Sequence, residues 1–241
     1  GIDMIAQGLD EINYEAVVQL NPDVVILPRN AVWQDAVKQL ETFDIPVVVA
    51  TAWDYDAFEE TVTLLGEVFG QEDEAAELKS FREEIIDVVT SHTDGVERPA
   101  VYFEVDGPLV TPVPGSGFHA VIEAAGGENI FADGAGGDEQ EELDVEPSEV
   151  VLRNPEFILH ELPPAATPID EADFESLRAS ITDRPGFSET EAVKNDRVIV
   201  TSGWATSALA KSIGTLYLAT WLHPEEFADV DPETYLTRWV T

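Results

Sequence analysis

QEDEAAELKSFREEIIDVVTSHTDG, residues Gln71 to Gly95, is the stretch on which the fold turns. Leu78, Phe81, Ile85, Val88 and Val89 recur at helical spacing and lay one apolar stripe along a helix. Acidic residues crowd the first turns, where a helix dipole favours negative charge. Thr90 to Gly95 carries stop signals. At 1.5 Å per residue, about 20 helical residues reach roughly 30 Å, the width of a small domain. Taken alone this is an ordinary long surface helix. Its meaning comes from the sequence on its two sides.

Those flanks are related. Val17 to Leu27 (VVQLNPDVVIL) and Val150 to His160 (VVLRNPEFILH) both run Val-Val, Asn-Pro, acid, then an apolar stretch. Asp44 to Trp53 (DIPVVVATAW) and Asn195 to Trp204 (NDRVIVTSGW) both place three apolar β-formers before small residues and a tryptophan. The offsets are 133 and 151 residues, so order is kept while loops differ. Two ordered matches, each ending a predicted strand, indicate two similar lobes on a common spine. The expected division is 1–70 for the first lobe, 71–97 for the connecting helix and 98–241 for the second lobe.

Along the chain, predicted helices are Tyr14 to Leu20, Trp33 to Phe43, Ala57 to Phe69, the spine, Phe118 to Ala125, Pro147 to Leu152, Ile169 to Ser180, Glu189 to Lys194, Ser207 to Leu222 and Pro232 to Val240. Predicted strands are Asp23 to Leu27, Pro46 to Ala50, Pro99 to Glu104, Glu156 to His160 and Val198 to Thr201. Residues 106–117 and the acidic, Gly-rich 131–143 read as loops. Strands alternate with helices, so the fold class is α/β, two Rossmann-like lobes with mainly parallel sheets and right-handed crossovers. The second lobe opens with a strand and helix ahead of its NPE segment. Residues 1–12 are too few to hold their counterparts, so the first lobe is expected to lack its opening strand and helix in this chain.

Composition narrows the function. The 241 residues carry 49 acids against 12 Lys plus Arg, a formal charge of −37. Such a surface repels nucleic acid and anionic membranes. There is no Cys, which removes disulfides, thiolate metal sites and thiol nucleophiles. His92, His119, His160 and His223 lie one per element, without zinc or manganese spacing. No G-x-S-x-G elbow, P-loop or G-x-G-x-x-G occurs. Acid pairs are too common for a catalytic dyad to stand out, and the run Asp138 to Glu142 reads as a solvated acidic loop before it reads as a calcium site. No cofactor and no resident metal are expected, and no residue is assigned a catalytic role.

In open α/β sheets, ligands sit beyond the carboxyl ends of the strands, and domain interfaces favour small-molecule pockets. The strand exits carry Arg29, Asn30, Trp33, Trp53, Tyr55, Glu104 and Trp204, with Phe118 and His160 beside them. These seven are the candidate ligand-binding residues. Trp53 and Trp204 hold equivalent places in the repeat, and two indoles suit a large ligand with apolar or planar faces. Packing within each lobe is the plainer alternative for both. Arg29 fits either a bidentate grip on a ligand carboxylate or phosphate or the neutralisation of a neighbouring acid.

The segments NYEAVVQLNPDVVIL, the spine helix, FHAVIEAAGGENIFAD (Phe118 to Asp133), SEVVLRNPEFIL and VIVTSGWATSALAKSIGTLYLATWLHPEEF resemble the substrate-binding proteins of ABC importers with a rigid inter-lobe helix. That group takes up ferric siderophores, haem and vitamin B12. The resemblance implies a monomeric, extracytoplasmic receptor without enzymatic activity. It implies capture of a metal chelate (cobalamin or a ferric siderophore) between the lobes and delivery to an ABC permease. A lipid anchor upstream of this chain is compatible with it. Trp204 matches a position where B12-binding relatives place an aromatic residue on the ligand. Relatives often dock on the permease through one acidic side chain per lobe. Asp35 stands near one such place, Thr206 and Ser207 near the other, so the docking pair is unassigned. The alternatives are an α/β enzyme using cleft carboxylates and a sensor that binds without transport.

Charge this far from zero strains a compact chain by self-repulsion unless salt screens it. The screening length is about 3 Å at 1 M salt. The sequence therefore reads as halophilic: the denaturation midpoint is expected to rise as KCl goes from dilute to molar. A midpoint that stays flat or falls would overturn this reading.

Overall fold

The computed structural model describes residues 11–29, 31–105, 107–135, 140–162, 170–203 and 208–241. The chain divides into two compact units. Gly1–Ala52 with Ala57–Glu77 forms the first, and Trp53–Asp56 with Leu78–Thr241 forms the second. This division differs from the sequence reading in two places. The boundary falls inside the spine helix, and Trp53–Asp56, expected in the first lobe, groups with the second unit.

In the first unit, α1 (Tyr14–Leu20) starts at Asn13, whose side chain accepts from the Ala16 N–H. It ends at Asn21, held at φ 47°, ψ 58° in the left-handed region. Pro22 then forbids another turn. β1 (Val25–Leu27) comes next, then α2 (Trp33–Leu40) with a short 3₁₀ turn at Glu41–Phe43, β2 (Val47–Val49) and α3 (Phe58–Phe69). The strands pair in parallel with Val25 opposite Val47. Val17, Val25, Leu40 and Ile45 make the small core of this unit.

The spine is α4, Glu72–Thr93, 22 residues long. Its stripe behaves as the spacing predicts: Ile85 and Val89 are fully buried, and Phe81 and Val88 pack beside them. The second unit continues with β3 (Ala100–Glu104), β4 (Val110–Pro112), α5 (Gly117–Ala124), β5 (Glu128–Asn129), β6 (Glu142–Asp144), α6 (Pro147–Arg153), β7 (Phe157–Leu162), α7 (Glu171–Thr182), α8 (Glu191–Lys194), β8 (Val198–Ser202), α9 (Lys211–Leu222) and α10 (Pro232–Val240). A four-stranded, all-parallel sheet in the order β5-β3-β7-β8 is its centre.

Strand alternation splits the core between the two faces of this sheet. Val101, Phe103, Phe157 and Leu159 meet α4, α5 and α9 through Ile85, Val121, Ile213 and Leu216. Tyr102, Ile158 and Val198 meet Val150, Ile181 and Phe187 on the other face. Both faces are covered, as a parallel sheet requires.

The repeat is structural. Asn154 ends α6 at φ 48°, ψ 64°, matching Asn21. Ile158 pairs with Val198, and these are the residues that the two offsets assign to Val25 and Val47. Cover differs between the copies. Leu159 is 2% exposed and its counterpart Ile26 is 36% exposed. β3 flanks β7 in the second unit, whereas among the described residues β1 pairs with β2 alone.

The loop expectation also fails. The stretches 106–117 and 131–143, read as loops, contribute β4 and β6, which pair antiparallel with Thr111 opposite Leu143. Both strands are three residues long, one holds a proline and the other is acidic. No periodicity of two could emerge from so few residues.

A left-handed conformation costs most L-residues about 1–2 kcal/mol, and asparagine less. Asn21→Ala is therefore expected to lower stability by about 1 kcal/mol, and Asn21→Gly to be tolerated. Urea denaturation of both variants checks this.

Candidate functional site

The candidate residues fall into separate neighbourhoods. Arg29 and Trp33 are half-buried in the first unit. The Arg29 N–H donates to Thr51 Oγ1 at 3.0 Å, which ties the exit of β1 to the exit of β2. Asn30 and Trp204 lie outside the described residues, as do Thr206 and Ser207.

Trp53 and Tyr55 belong to the second unit. The Trp53 side chain is half-buried while its carbonyl accepts from Lys211 Nζ at 2.8 Å. Lys211 is only 3% exposed and its ammonium lies 4.4 Å from the centre of the Phe118 ring. The Tyr55 carbonyl accepts from Arg82 Nη2 at 2.9 Å. The Arg82 guanidinium sits 4.7 Å over the Tyr55 ring. Tyr55 is itself buried, among Ile85, Val89 and Leu216.

Glu104, read from the sequence as a strand-exit group, is fully enclosed at 0% exposure. The parallel register sets it beside His160, whose Nδ1–H donates to Glu104 Oε2 at 2.8 Å. The Tyr102 hydroxyl, two residues back on the same strand face, donates to Oε1 at 3.0 Å. The Leu109 N–H donates to Oε1 at 3.1 Å. Arg184 grips both oxygens, Nη1 on Oε1 and Nη2 on Oε2. Burial works to push the Glu104 carboxyl up, but the hydrogen bonds and charges of His160 and Arg184 outweigh it and hold the group below the ordinary carboxylate range. Burial, then the adjacent carboxylate, pushes the Tyr102 hydroxyl far up.

This network holds a strained loop. Leu109 has φ 64°, a conformation that costs a leucine about 1–2 kcal/mol. Glu104 anchors its N–H, and its carbonyl accepts from the Val145 N–H at 2.9 Å. Both Glu104 oxygens are engaged within the unit, so the work of this carboxylate is to order the turn after β3.

Sequence reasoning missed Arg82, Arg184 and Lys211. A signal existed for two of them. Arg82 lies between Phe81 and Ile85 on the apolar side of the spine, and Lys211 opens the apolar run KSIGTLYLATWL. A cation on an apolar face is either exposed by its long stem or buried on a partner. Arg184 stands in an irregular stretch with no pattern to mark it. Among the described residues, no three His, Asp or Glu side chains cluster as metal ligands would.

With this geometry in place, similarity to known proteins places the chain. The periplasmic binding protein family matches residues 6–203, and the chain belongs to that family, whose members bind solutes and are not enzymes. A cobalamin-binding protein of Halobacterium salinarum is 35% identical over 129 residues, covering 51% of this chain and 34% of the relative. The match thus spans about a third of that relative's length. Among solved structures, the TroA-like FepB of Veillonella parvula aligns with TM-score 0.78 at 24% identity, over 95% of this chain and 70% of its own. The molybdate-binding MolA of Haemophilus influenzae gives 0.76 at 20% identity, over 96% and 74%. CeuE of Helicobacter pylori gives 0.71 at 18% identity, over 95% and 70%. At these identities the solved structures speak for the fold. Among the described residues, no helix is long and apolar enough to cross a membrane.

The Glu104 network yields a pH-dependent prediction. A carboxyl whose folded pKa lies below its unfolded value stabilises the fold above the unfolded pKa, about 4.3. That stabilisation is lost as pH falls through the lower, folded value. Glu104→Gln leaves Arg184 without its counter-charge and should cost about 3 kcal/mol at pH 7. Acidification should narrow the gap to wild type as wild-type Glu104 becomes protonated. Urea denaturation at pH 7 and below pH 4 checks it, and a gap independent of pH would refute it.

Proposed function

We propose that this chain is the ligand-capturing part of an ABC importer. It acts outside the cytoplasmic membrane, takes up a metal chelate and delivers it to a permease. Cobalamin is the first choice of ligand and a ferric siderophore the second. The observation that carries the reading is the 129-residue likeness to a cobalamin-binding protein, together with a family match running over most of the chain. The half-buried Trp53 indole at the exit of β2 supports it, since a tryptophan presented at a strand exit suits a large, flat, largely apolar ligand. Trp204, its repeat equivalent, is assigned the same role, with Arg29, Asn30, Trp33 and Tyr55 as further contacts. The monomeric state belongs to this proposal.

Isothermal titration calorimetry with cyanocobalamin, a ferric hydroxamate chelate and molybdate tests the proposal and ranks its ligands. Saturable one-to-one binding of the corrinoid or the ferric chelate is the expected result. Trp53→Ala and Trp204→Ala should each weaken binding by about 1–3 kcal/mol if the indoles are anchors. Binding of molybdate alone would replace the chelate reading. Absence of heat with all three would remove it.

A further inference from the structure

The chain leaves the first compact unit after Ala52, spends Trp53–Asp56 in the second, and returns at Ala57. Four residues so placed need an anchor, and the structure supplies one from several sides. Lys211 Nζ donates to the Trp53 carbonyl at 2.8 Å. Arg82 Nη2 donates to the Tyr55 carbonyl at 2.9 Å. Thr215 Oγ1 lies 3.4 Å from the Tyr55 hydroxyl. The chain carries 12 Lys plus Arg against 49 acids, yet it places two of these cations, 3% and 9% exposed, on backbone carbonyls two residues apart. A buried cation is costly unless it is partnered, and carbonyls of this segment partner both.

A further point of contact is Gly117, the first residue of α5. A Cβ there would collide with the Trp53 carbonyl oxygen and would stand 3.0 Å from Lys211 Nζ. The N-terminus of α5 thus comes within contact of the segment's backbone only because residue 117 has no side chain. Ser116, 2% exposed, caps the same turn through the Phe118 N–H at 3.2 Å. Phe118 in turn lies beneath the Lys211 ammonium.

We propose that Gly117, Lys211 and Arg82 form a seat that fixes the backbone of Trp53–Asp56 and thereby sets the position of the Trp53 indole. They are positioning residues. The seat grips main-chain oxygens while Trp53 stays partly exposed, an arrangement that immobilises a residue without fully covering it. Its purpose rests on the ligand role of Trp53 proposed above; its existence does not.

The test separates the two. Acrylamide quenching of the Trp53 contribution is obtained in ligand-free protein by subtracting the Trp53→Phe spectrum within each background. In Lys211→Met and in Gly117→Ala the Stern–Volmer constant of Trp53 should rise about two-fold or more, as the segment leaves its seat. The glycine variant does this by steric displacement with every charge in place. Lys194→Met, which removes a surface lysine paired with Glu191, should leave Trp53 quenching unchanged. Denaturation midpoints show that the variants are folded, and Arg82→Lys, which keeps a donor for the Tyr55 carbonyl, should fall between wild type and Lys211→Met. Unchanged quenching in both Lys211→Met and Gly117→Ala overturns the seat. If wild type binds the corrinoid or ferric chelate, both variants should weaken it about tenfold. Raised quenching with full affinity would overturn the positioning role. If wild type binds no chelate, the proposed function fails and quenching alone decides the seat.

Discussion

A single backbone conformation organises both copies of the repeat. At Asn21 and Asn154 the chain takes up left-handed φ and ψ within a few degrees of one another. Asparagine tolerates this conformation better than most residues because its short polar side chain competes locally for the backbone. The helix must stop there, and the proline after it keeps the chain from resuming it. The next residues are therefore delivered as an extended strand in a fixed direction. That delivery lets Val25 meet Val47 and Ile158 meet Val198 in the same parallel register.

Beyond the strand ends, irregular backbone is ordered in two contrasting ways. After β3 the chain makes a tight turn through Leu109, and the turn is held by a carboxylate with five donors on it. Five donors on two buried oxygens make a unit that resists partial disassembly, because losing one partner strands the others in a low-dielectric interior. After β2 the opposite device operates. The backbone of Trp53–Asp56 supplies the acceptors, and buried cations come to it. Both devices use charge to order backbone where helix or sheet hydrogen bonding does not reach.

This contrast explains what could be read in advance. The capped helices, apolar strands and spine stripe are local patterns, and the family-like segments are built from them. The parallel register is legible because the repeat carries it at two constant offsets. The β4–β6 ladder is not, since two three-residue strands have no period to detect. The Glu104 cluster and the Trp53 seat are not either, because their partners lie 80 and 158 residues away. Glu104 looks like any of 49 acids, and only its register opposite His160 distinguishes it. The local pattern puts Trp53 just after a strand, but the unit it packs with depends on those distant cations.

The same cations bear on what kind of ligand suits the chain. Arg98, Arg153, Arg178, Arg184 and Arg238 each grip a carboxylate of the protein. Arg82 and Lys211 hold backbone carbonyls. Positive charge is thus heavily committed to the fold, while a formal −37 remains over the whole chain. In dilute buffer, where the screening length is about 30 Å at 0.01 M, a polyanionic chelate approaches against that field and a ligand of low net charge does not. In molar salt the field dies within about 3 Å, and only direct contacts discriminate. Selection by charge is then a property of the medium. Selection by a fixed indole, the role proposed for Trp53, would instead be a property of the protein and would persist at any salt concentration in which the chain stays folded.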